Sequence, residues 1–304
     1  MSVTELNLLE ALDKVNEAKV VVVDVLMPEH FERRHIPGAV NACVYEVVFP
    51  DLIAAAVPDK DAPVLLYGAG PNSQDSRIAA EKLARSGYSC VNYFPGGLDE
   101  WRAEGYPLEG TAVETVDPPH PELHLESRDY ALNVGESALL WKGRNANGSH
   151  HGIVPLSGGV LDGCCMTGEF ELDMAGLKDM SLDGDETQPV LENHLRSDDF
   201  FFTSMFPQAI FRITAMQPVP DCPATMPNFR VMGQLGLRGV SKEVFMAVQL
   251  RNLEENRLVM QGNLDLDRTE WGIIYGSARF FQHLGYHLVY DLVSVEFRLV
   301  LEAR

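Results

Sequence analysis

The sequence is poor in cysteine and in basic residues. Its 304 residues include 5 cysteines, and 24 Lys and Arg face 44 Asp and Glu, which gives a formal net charge of −20. Both halves are acidic, so neither offers the basic surface that neutralises phosphates, and we expect neither nucleic acid nor an anionic membrane as a partner. The cysteines lack metal-finger spacing, which predicts reduced thiols in a mostly apolar core and no metal. They are Cys43, Cys90, Cys164, Cys165 and Cys222.

Long apolar runs are also missing. No stretch approaches the ~18 apolar residues of a membrane helix, so we expect no stable membrane insertion. The first residues, Met1–Lys19, mix acidic side chains into an apolar pattern and do not have the basic start and apolar centre of a secretory signal. Few cysteines and no signal together predict a cytoplasmic protein.

The first third of the chain alternates apolar runs with helical patterns. Val20–Val25, Ala62–Gly68 and Cys90–Phe94 are strand-like runs, and Leu8–Val15 and Ser76–Ser86 have helical spacing. Strand, loop, helix and strand in this order predict an α/β domain with a parallel sheet.

The pattern changes after a proline-rich stretch, Val116–Glu122. From about Leu125, many short segments alternate apolar and polar residues between turns, which predicts an antiparallel barrel or sandwich. One helix is expected around Val190–Leu195. The predicted organisation is therefore an α/β domain over residues 1–110, a linker over residues 111–126 and an all-β domain over residues 127–304.

Four motifs of the first domain resemble the rhodanese-like superfamily. They are Asp24 after the first strand, His35–Ala42, Tyr67–Leu83 and Tyr93–Trp101. The resemblance implies a nucleophilic cysteine directly after the strand, in a loop whose backbone N–H groups stabilise a thiolate. Gly68 stands at that position, so we predict no catalytic residue and no sulfur transfer. The degenerate loop is expected to be a docking surface or an anion pocket. Its predicted residues are Gly68, Ala69, Gly70, Asn72, Ser73, Asp75 and Ser76.

The second domain resembles the YceI-like family. The motifs that carry this resemblance are Trp141–Gly152, Gly168–Met174, Leu191–Phe201, Phe206–Thr214, Leu235–Val244 and Asp267–Ser277. The resemblance implies a lipocalin-like antiparallel barrel around a hydrophobic channel, with a polyisoprenoid or a fatty amphiphile as ligand and no required cofactor. The residues predicted to bind this ligand are Trp141, His150, His194, Phe202, Trp271 and Tyr275.

Several interpretations stay open at this point. The polar residues His150, His194, Asp173, Arg268 and Tyr275 fit either a head-group site or a buried network with Asp198 or Ser197. A metal could be held by His150, His151 and His194, or by His283 with His287. The leading hypothesis is a non-enzymatic carrier or sensor, with a protein partner or homodimer open. The alternatives are an enzyme, sulfurtransferase-like or metal-assisted, and an assembly protein with neither pocket occupied.

Overall fold

The computed structural model describes residues 3–254 and 256–304, which divide into two compact units at the Asp117–Pro118 bond. Met1 and Ser2, with which the predicted first domain begins, and Glu255 in the second lie outside the described residues. The predicted boundaries, with a linker over residues 111–126, stay a prediction, although both parts of that stretch contact folded structure. Asp117 bonds to Arg34 at 2.9 Å, and the His124 amide donates to the Asn252 side chain at 2.7 Å.

The first unit is a parallel sheet covered by helices, as predicted. The strands lie in the order β1-β5-β4-β2-β3, and each adjacent pair is parallel. The elements are β1 (Val3–Glu5), α1 (Leu8–Val15), β2 (Val21–Asp24), α2 (Pro28–Arg33), β3 (Val40–Asn41), α3 (Phe49–Ala56), β4 (Val64–Tyr67), α4 (Asp75–Arg85), β5 (Val91–Phe94) and α5 (Gly97–Ala103).

The sheet is buried on both faces. All four residues of β4, Val64–Tyr67, are buried, as the continuous apolar run requires of a central parallel strand. The chain leaves β4 at its carboxyl end and enters α4 at Asp75, so residues 68–74 form a loop at the edge where ligands bind in such sheets.

The second unit is antiparallel. Its elements are β6 (Asp129–Leu132), β7 (Ala138–Asn145), β8 (Gly148–Ile153), β9 (Leu156–Asp162), β10 (Thr167–Asp173), β11 (Lys178–Asp179), α6 (Gln188–Arg196), β12 (Gln208–Pro218), β13 (Phe229–Leu237), β14 (Val240–Glu254), β15 (Arg257–Asp267) and β16 (Leu292–Ala303). Single 3-10 turns occur at Val134–Glu136, Arg268–Trp271 and Gly285–His287.

Eight of these strands close into a barrel. The order β16-β15-β14-β13-β12-β10-β9-β6 returns to its start because Ala131 of β6 pairs with Glu302 of β16. The other half of β16 pairs with β7, from which β8 and β11 extend. The predicted lipocalin-like barrel with one short helix is thus confirmed. An eight-stranded barrel leaves room for one slender ligand when inward side chains do not fill it.

The expectation that the cysteines are core thiols is wrong for most of them. Cys43 is buried, but Cys90, Cys164 and Cys165 are exposed and Cys222 is half-exposed. Cys90 lies just before β5, and Cys164 and Cys165 lie in the turn between β9 and β10, where apolar neighbours in the sequence do not produce burial. Within residues 3–254 and 256–304, none of the helices has the length and apolar character needed to cross a membrane.

Candidate functional site

The loop after β4 contains a carboxylate where the family's cysteine side chain would start. A Cβ atom at Gly68 would lie 2.1 Å from Oδ1 of Asp75, a residue that is itself buried. Real Cβ atoms do not approach other atoms that closely, so only glycine fits position 68 while Asp75 keeps its place. The nucleophile is absent, and so is the space for it.

The Asp75 carboxylate also accepts hydrogen bonds from the donors of the loop. Its Oδ2 accepts from the Ala69 amide at 3.0 Å and from the Ser73 hydroxyl at 2.7 Å, and its Oδ1 accepts from the Ser76 amide at 2.7 Å. The cradle therefore holds an internal anion, which disfavours the predicted anion pocket at this place. Of the remaining predicted loop residues, Gly70 is buried and Asn72 is exposed. The docking role of the loop stays a prediction.

The loop packs tightly on the turn that starts α5. Gly97 has a φ of 54°, and a Cβ there would lie 2.4 Å from the Gly68 carbonyl oxygen. The Leu98 amide donates to this oxygen at 2.9 Å, and the Asp99 amide donates to the Ala69 oxygen at 2.9 Å. Glycine at position 97 allows this close approach, so the start of α5 holds the loop after β4 in place.

A second buried carboxylate lies at the end of β2. Burial raises the pKa of Asp24 to about 6, although the hydrogen bond that its Oδ1 accepts from the Leu26 amide at 2.8 Å acts in the opposite direction. On the adjacent strand β4, the Tyr67 hydroxyl accepts from the Ile36 amide at 3.0 Å. Ionisation of Asp24 in this place therefore carries a cost of charge burial.

An apolar channel occupies the interior of the barrel. Its cavity measures about 390 Å³. Alternate residues of the strands line it, for example Val244, Met246 and Val248 of β14, because successive side chains of a strand point to opposite faces. The period-two alternation of the sequence thus produces a continuous apolar wall.

Five of the six predicted ligand residues line this channel. They are Trp141, His150, His194, Trp271 and Tyr275. The Trp271 indole N–H is satisfied by the Leu235 carbonyl at 3.0 Å, and that of Trp141 by the Lys178 carbonyl at 3.2 Å. Both rings therefore present their apolar surface to the channel without an unpaired donor.

Phe202 is the exception among the six, and its role in ligand binding stays a prediction. Phe200 and Phe201 line the channel, whereas Phe202 lies outside the lining and packs edge-on against Phe206 at 6.0 Å between ring centroids. Its left-handed backbone, with a φ of 49°, reverses the chain after the first two rings. A run of three identical residues gives no sequence signal for this reversal.

His150, which lines the channel, begins a chain of hydrogen bonds with Ser181 and Asp179, two residues outside the lining. Its Nδ1 lies 3.1 Å from the Ser181 hydroxyl, which donates to the buried carboxylate of Asp179 at 2.9 Å. Because the single hydroxyl proton of Ser181 is committed to Asp179, its oxygen accepts from His150 Nδ1–H. In the neutral ring Nε2 is then a hydrogen-bond acceptor.

His194 is part of an aromatic wall. Its ring meets Tyr275 edge-on at 4.6 Å and Phe200 edge-on at 4.9 Å between centroids. Its Nε2 lies 3.2 Å from Asp199, so the partner is Asp199 and not the predicted Asp198. Ser197, the other predicted partner, donates to the His194 backbone oxygen at 2.7 Å. These contacts favour the structural interpretation of His194.

Arg268 and Asp173 also have structural roles. The buried Arg268 guanidinium donates to the carbonyls of Ile273 at 2.6 Å, Val289 at 3.1 Å and Tyr290 at 3.1 Å. It thereby fixes residues 273–290, a segment that contributes channel-lining side chains. Asp173 accepts from two backbone amides of the following turn and does not line the channel.

The histidines do not form the metal site that the sequence left open. Among the residues that the structure describes, His150, His151, His194, His283 and His287 belong to no group of three side chains placed to hold an ion. His283 precedes and His287 ends a 3-10 turn, so their spacing of four residues does not put them on one α-helical face.

Sequence reasoning missed most of the lining. The aliphatic residues of the barrel strands and the segment that contains Tyr286 and Val289 were not predicted to face a ligand. The strand positions had a usable signal in their alternation. The segment with Tyr286 and Val289 gave no such signal. It is held at the channel by a hydrogen bond from the Tyr290 amide to the Arg144 carbonyl, and these two residues lie far apart in the sequence.

Comparisons with known proteins agree with both halves of this description. The family model of the rhodanese-like domain matches residues 7–104. Thiosulfate sulfurtransferase GlpE of Pseudomonas syringae pv. syringae is 34% identical over 100 residues, which are 33% of this chain and 88% of that protein. Thiosulfate sulfurtransferase PspE of Escherichia coli is 39% identical over 79 residues, which are 26% of this chain and 70% of that protein.

The family model of the YceI-like domain matches residues 130–301. Among solved structures, a polyisoprenoid binding domain from Saccharophagus degradans is similar, with 17% identity and a TM-score of 0.44 over 58% of this chain and 98% of that chain. BcnA of Burkholderia cenocepacia has 18% identity and a TM-score of 0.41, over 56% and 98%. Through the larger part of its length this chain therefore belongs to the YceI-like family, to whose barrel it joins a rhodanese-like domain.

Proposed function

We propose that the barrel binds one long-chain apolar amphiphile, of the isoprenoid or fatty class, and that the rhodanese-like domain acts without transferring sulfur. The observation that carries the first part is the apolar channel of about 390 Å³, a size within the ~300–1,000 Å³ of small-molecule sites. The second part is supported by Gly68 and the carboxylate beside it. Docking of a protein partner, a homodimer and the cytoplasmic location stay predictions.

The binding energy comes from burial of the chain. Each methylene that leaves water contributes about 0.8 kcal/mol, so affinity should rise about fourfold for each added methylene until the channel is full. The wall is built largely of aliphatic and aromatic side chains, so it gives little polar recognition along its length. Chain length and cross-section, and not sequence-specific contacts, should therefore set the preference.

A length series tests this proposal. Linear alcohols and prenols of increasing length are titrated into the purified full-length protein after extraction with organic solvent, and Kd is measured by calorimetry. Gly143→Trp should shorten the longest alcohol accepted, because Gly143 lines the channel and a Cβ there meets only open space and the Trp141 ring at 3.8 Å. Gly148→Trp is the matched control, since Gly148 is exposed in the same β7–β8 hairpin and does not line the channel.

The outcome of this series decides the proposal. A Kd that stays flat with chain length in the unmodified protein contradicts a chain-binding channel. Equal effects of Gly143→Trp and Gly148→Trp would place the ligand elsewhere.

His150 supplies the polar end of this site. Its Nε2 accepts a hydrogen bond in the neutral ring, so we expect a ligand with a terminal hydroxyl to bind more tightly than its methyl ether. One ordinary hydrogen bond corresponds to about 1 kcal/mol, or about fivefold in Kd. His150→Ala should remove this difference, and Ser181→Ala should reduce it, because Ser181 fixes the tautomer of the ring. Unchanged discrimination in His150→Ala, with lower folding stability, would give this histidine a structural role only.

A further inference from the structure

The turn between β9 and β10 brings together three side chains that no part of the proposed function uses. Asp162 ends β9, and Cys164 and Cys165 follow it before β10 starts at Thr167. One carboxylate oxygen and the two sulfur atoms all lie within 4.8 Å of one another. Both thiols are exposed to solvent, and the turn lies outside the channel lining.

The backbone of this turn is fixed from several directions. Oδ1 of Asp162 accepts from the Cys164 amide at 2.7 Å and from the Cys165 amide at 2.9 Å, and the Met166 amide donates to the Asp162 carbonyl at 2.9 Å. The Gly163 amide donates to the Arg128 carbonyl at 2.9 Å, which ties the turn to the chain before β6. The side chains therefore extend from a frame that exists before any ligand binds, and ordering it costs little entropy.

We propose that Asp162, Cys164 and Cys165 bind a thiophilic divalent cation, Zn²⁺ by chemical preference. Two sulfur ligands and one carboxylate oxygen are a donor set that zinc accepts, whereas Mg²⁺ and Ca²⁺ require oxygen ligands throughout. Water completes the tetrahedron, as in zinc sites with three protein ligands. Binding replaces two S–H bonds by two metal–sulfur bonds and releases two protons to solvent, with no change of oxidation state.

Charge and position agree with a cation at this place. The chain carries a net charge of −20, so its general field attracts cations. The two cysteines are adjacent residues in the turn of four residues between two paired strands, so a bound ion would link the end of β9 to that turn. We therefore expect the ion to stabilise the folded barrel by mass action.

The test uses the full-length protein in its reduced form. It is dialysed against Zn²⁺ and, separately, against Cd²⁺, and bound metal is measured by elemental mass spectrometry. The expected result is one equivalent of either ion in the unmodified protein and none in Cys164→Ser/Cys165→Ser. Replacing the partly or fully exposed Cys90 and Cys222 by serine is the matched control and should leave the stoichiometry at one.

The variant Asp162→Asn distinguishes the role of Asp162 as a metal ligand from its role in fixing the turn. The amide oxygen of asparagine can still accept from the two backbone amides, so the turn persists while the charged ligand is lost. We expect the Kd for Zn²⁺ to rise about tenfold or more, and Co²⁺ to give a thiolate charge-transfer band in the unmodified protein that Cys164→Ser/Cys165→Ser lacks. Absence of bound ion in the reduced protein would overturn the proposal, and so would an equivalent that survives the double serine variant. Ligand binding in the channel is measured independently, so either result leaves that proposal untouched.

Discussion

Restoring the cysteine at position 68 should damage the first domain and should not reactivate it. In Gly68→Cys the new Cβ would lie 2.1 Å from the Asp75 carboxylate, so this carboxylate must leave its place. It now accepts from two backbone amides and one hydroxyl. Hydrogen bonds to a charged group contribute about 1.5–3 kcal/mol each, and losing the two amide bonds costs roughly 3–6 kcal/mol.

The assay is amide hydrogen exchange by mass spectrometry on the full-length protein, read on residues 64–85, which contain β4 and α4. Gly68→Cys should expose these amides to faster exchange by a factor that corresponds to the lost free energy. Ala69→Cys is the control, because the half-buried Ala69 already carries a Cβ in the same loop.

A double variant then tests the cause. In Gly68→Cys/Asp75→Ala the clash is removed and the thiolate can accept from the freed amides, so the two changes together should cost less than their separate effects predict. Normal exchange in Gly68→Cys, or equal damage by Ala69→Cys, would refute the claim that Asp75 occupies the place of the nucleophile.

Three further results are expected. The unmodified protein should release no thiocyanate from thiosulfate and cyanide, and release above the uncatalysed rate contradicts the inactive assignment. The pKa of Asp24 rises from 3.8 to about 6 on folding, so the folded state holds this proton more tightly than the unfolded state. The free energy of unfolding should therefore fall by about 3 kcal/mol as pH rises from about 4 to 6, with no further loss above that range. Asp24→Asn should abolish this pH dependence in urea unfolding, and an unchanged dependence would assign it to other groups. Arg268→Leu should lower the stability of the barrel and speed amide hydrogen exchange over residues 273–290, because three carbonyls lose their donor. The control Arg279→Leu changes an exposed arginine and should alter stability by about 1 kcal/mol or less. Equal effects of the two variants would contradict the anchoring role of Arg268.

The sequence predicted the fold where the pattern was strong. Val20–Val25 and Ala62–Gly68 became β2 and β4, and the helix expected around Val190–Leu195 became α6. Strands β8 and β9 are rich in glycine or polar residues, so their periodicity is weak, although the sheet pairs each of them on both sides. Pairing partners distant in sequence decide such strands, and a local pattern cannot report them.

For the loop after β4 and for the channel, too, the sequence predicted some features and not others. The absence of a thiol at Gly68 is a fact of the sequence, but the occupation of its place by Asp75 depends on how residues 68–76 turn. The channel-lining character of Trp141 and Tyr275 followed from the family resemblance, whereas the Asp179–Ser181–His150 chain depends on β11 pairing with β8. Hydrogen-bond partners contributed by separate strands are set by register, which one sequence does not disclose.

Removing a bound chain from the barrel should lower its stability by several kcal/mol. A buried apolar cavity costs about 24 cal/mol per Å³, so a dry channel of about 390 Å³ corresponds to roughly 9 kcal/mol as an upper bound. Water that enters at the mouth reduces this cost, and a ligand that fills the channel removes it. Protein stripped by organic solvent should therefore melt at a lower temperature than the same protein refilled with the tightest prenol of the length series. Gly143→Trp should narrow the gap, because the indole occupies part of the channel in the stripped state. If stripped and refilled protein melt together, and the solvent extract contains no long-chain compound, then the channel does not hold a chain in the folded state and the carrier hypothesis is wrong.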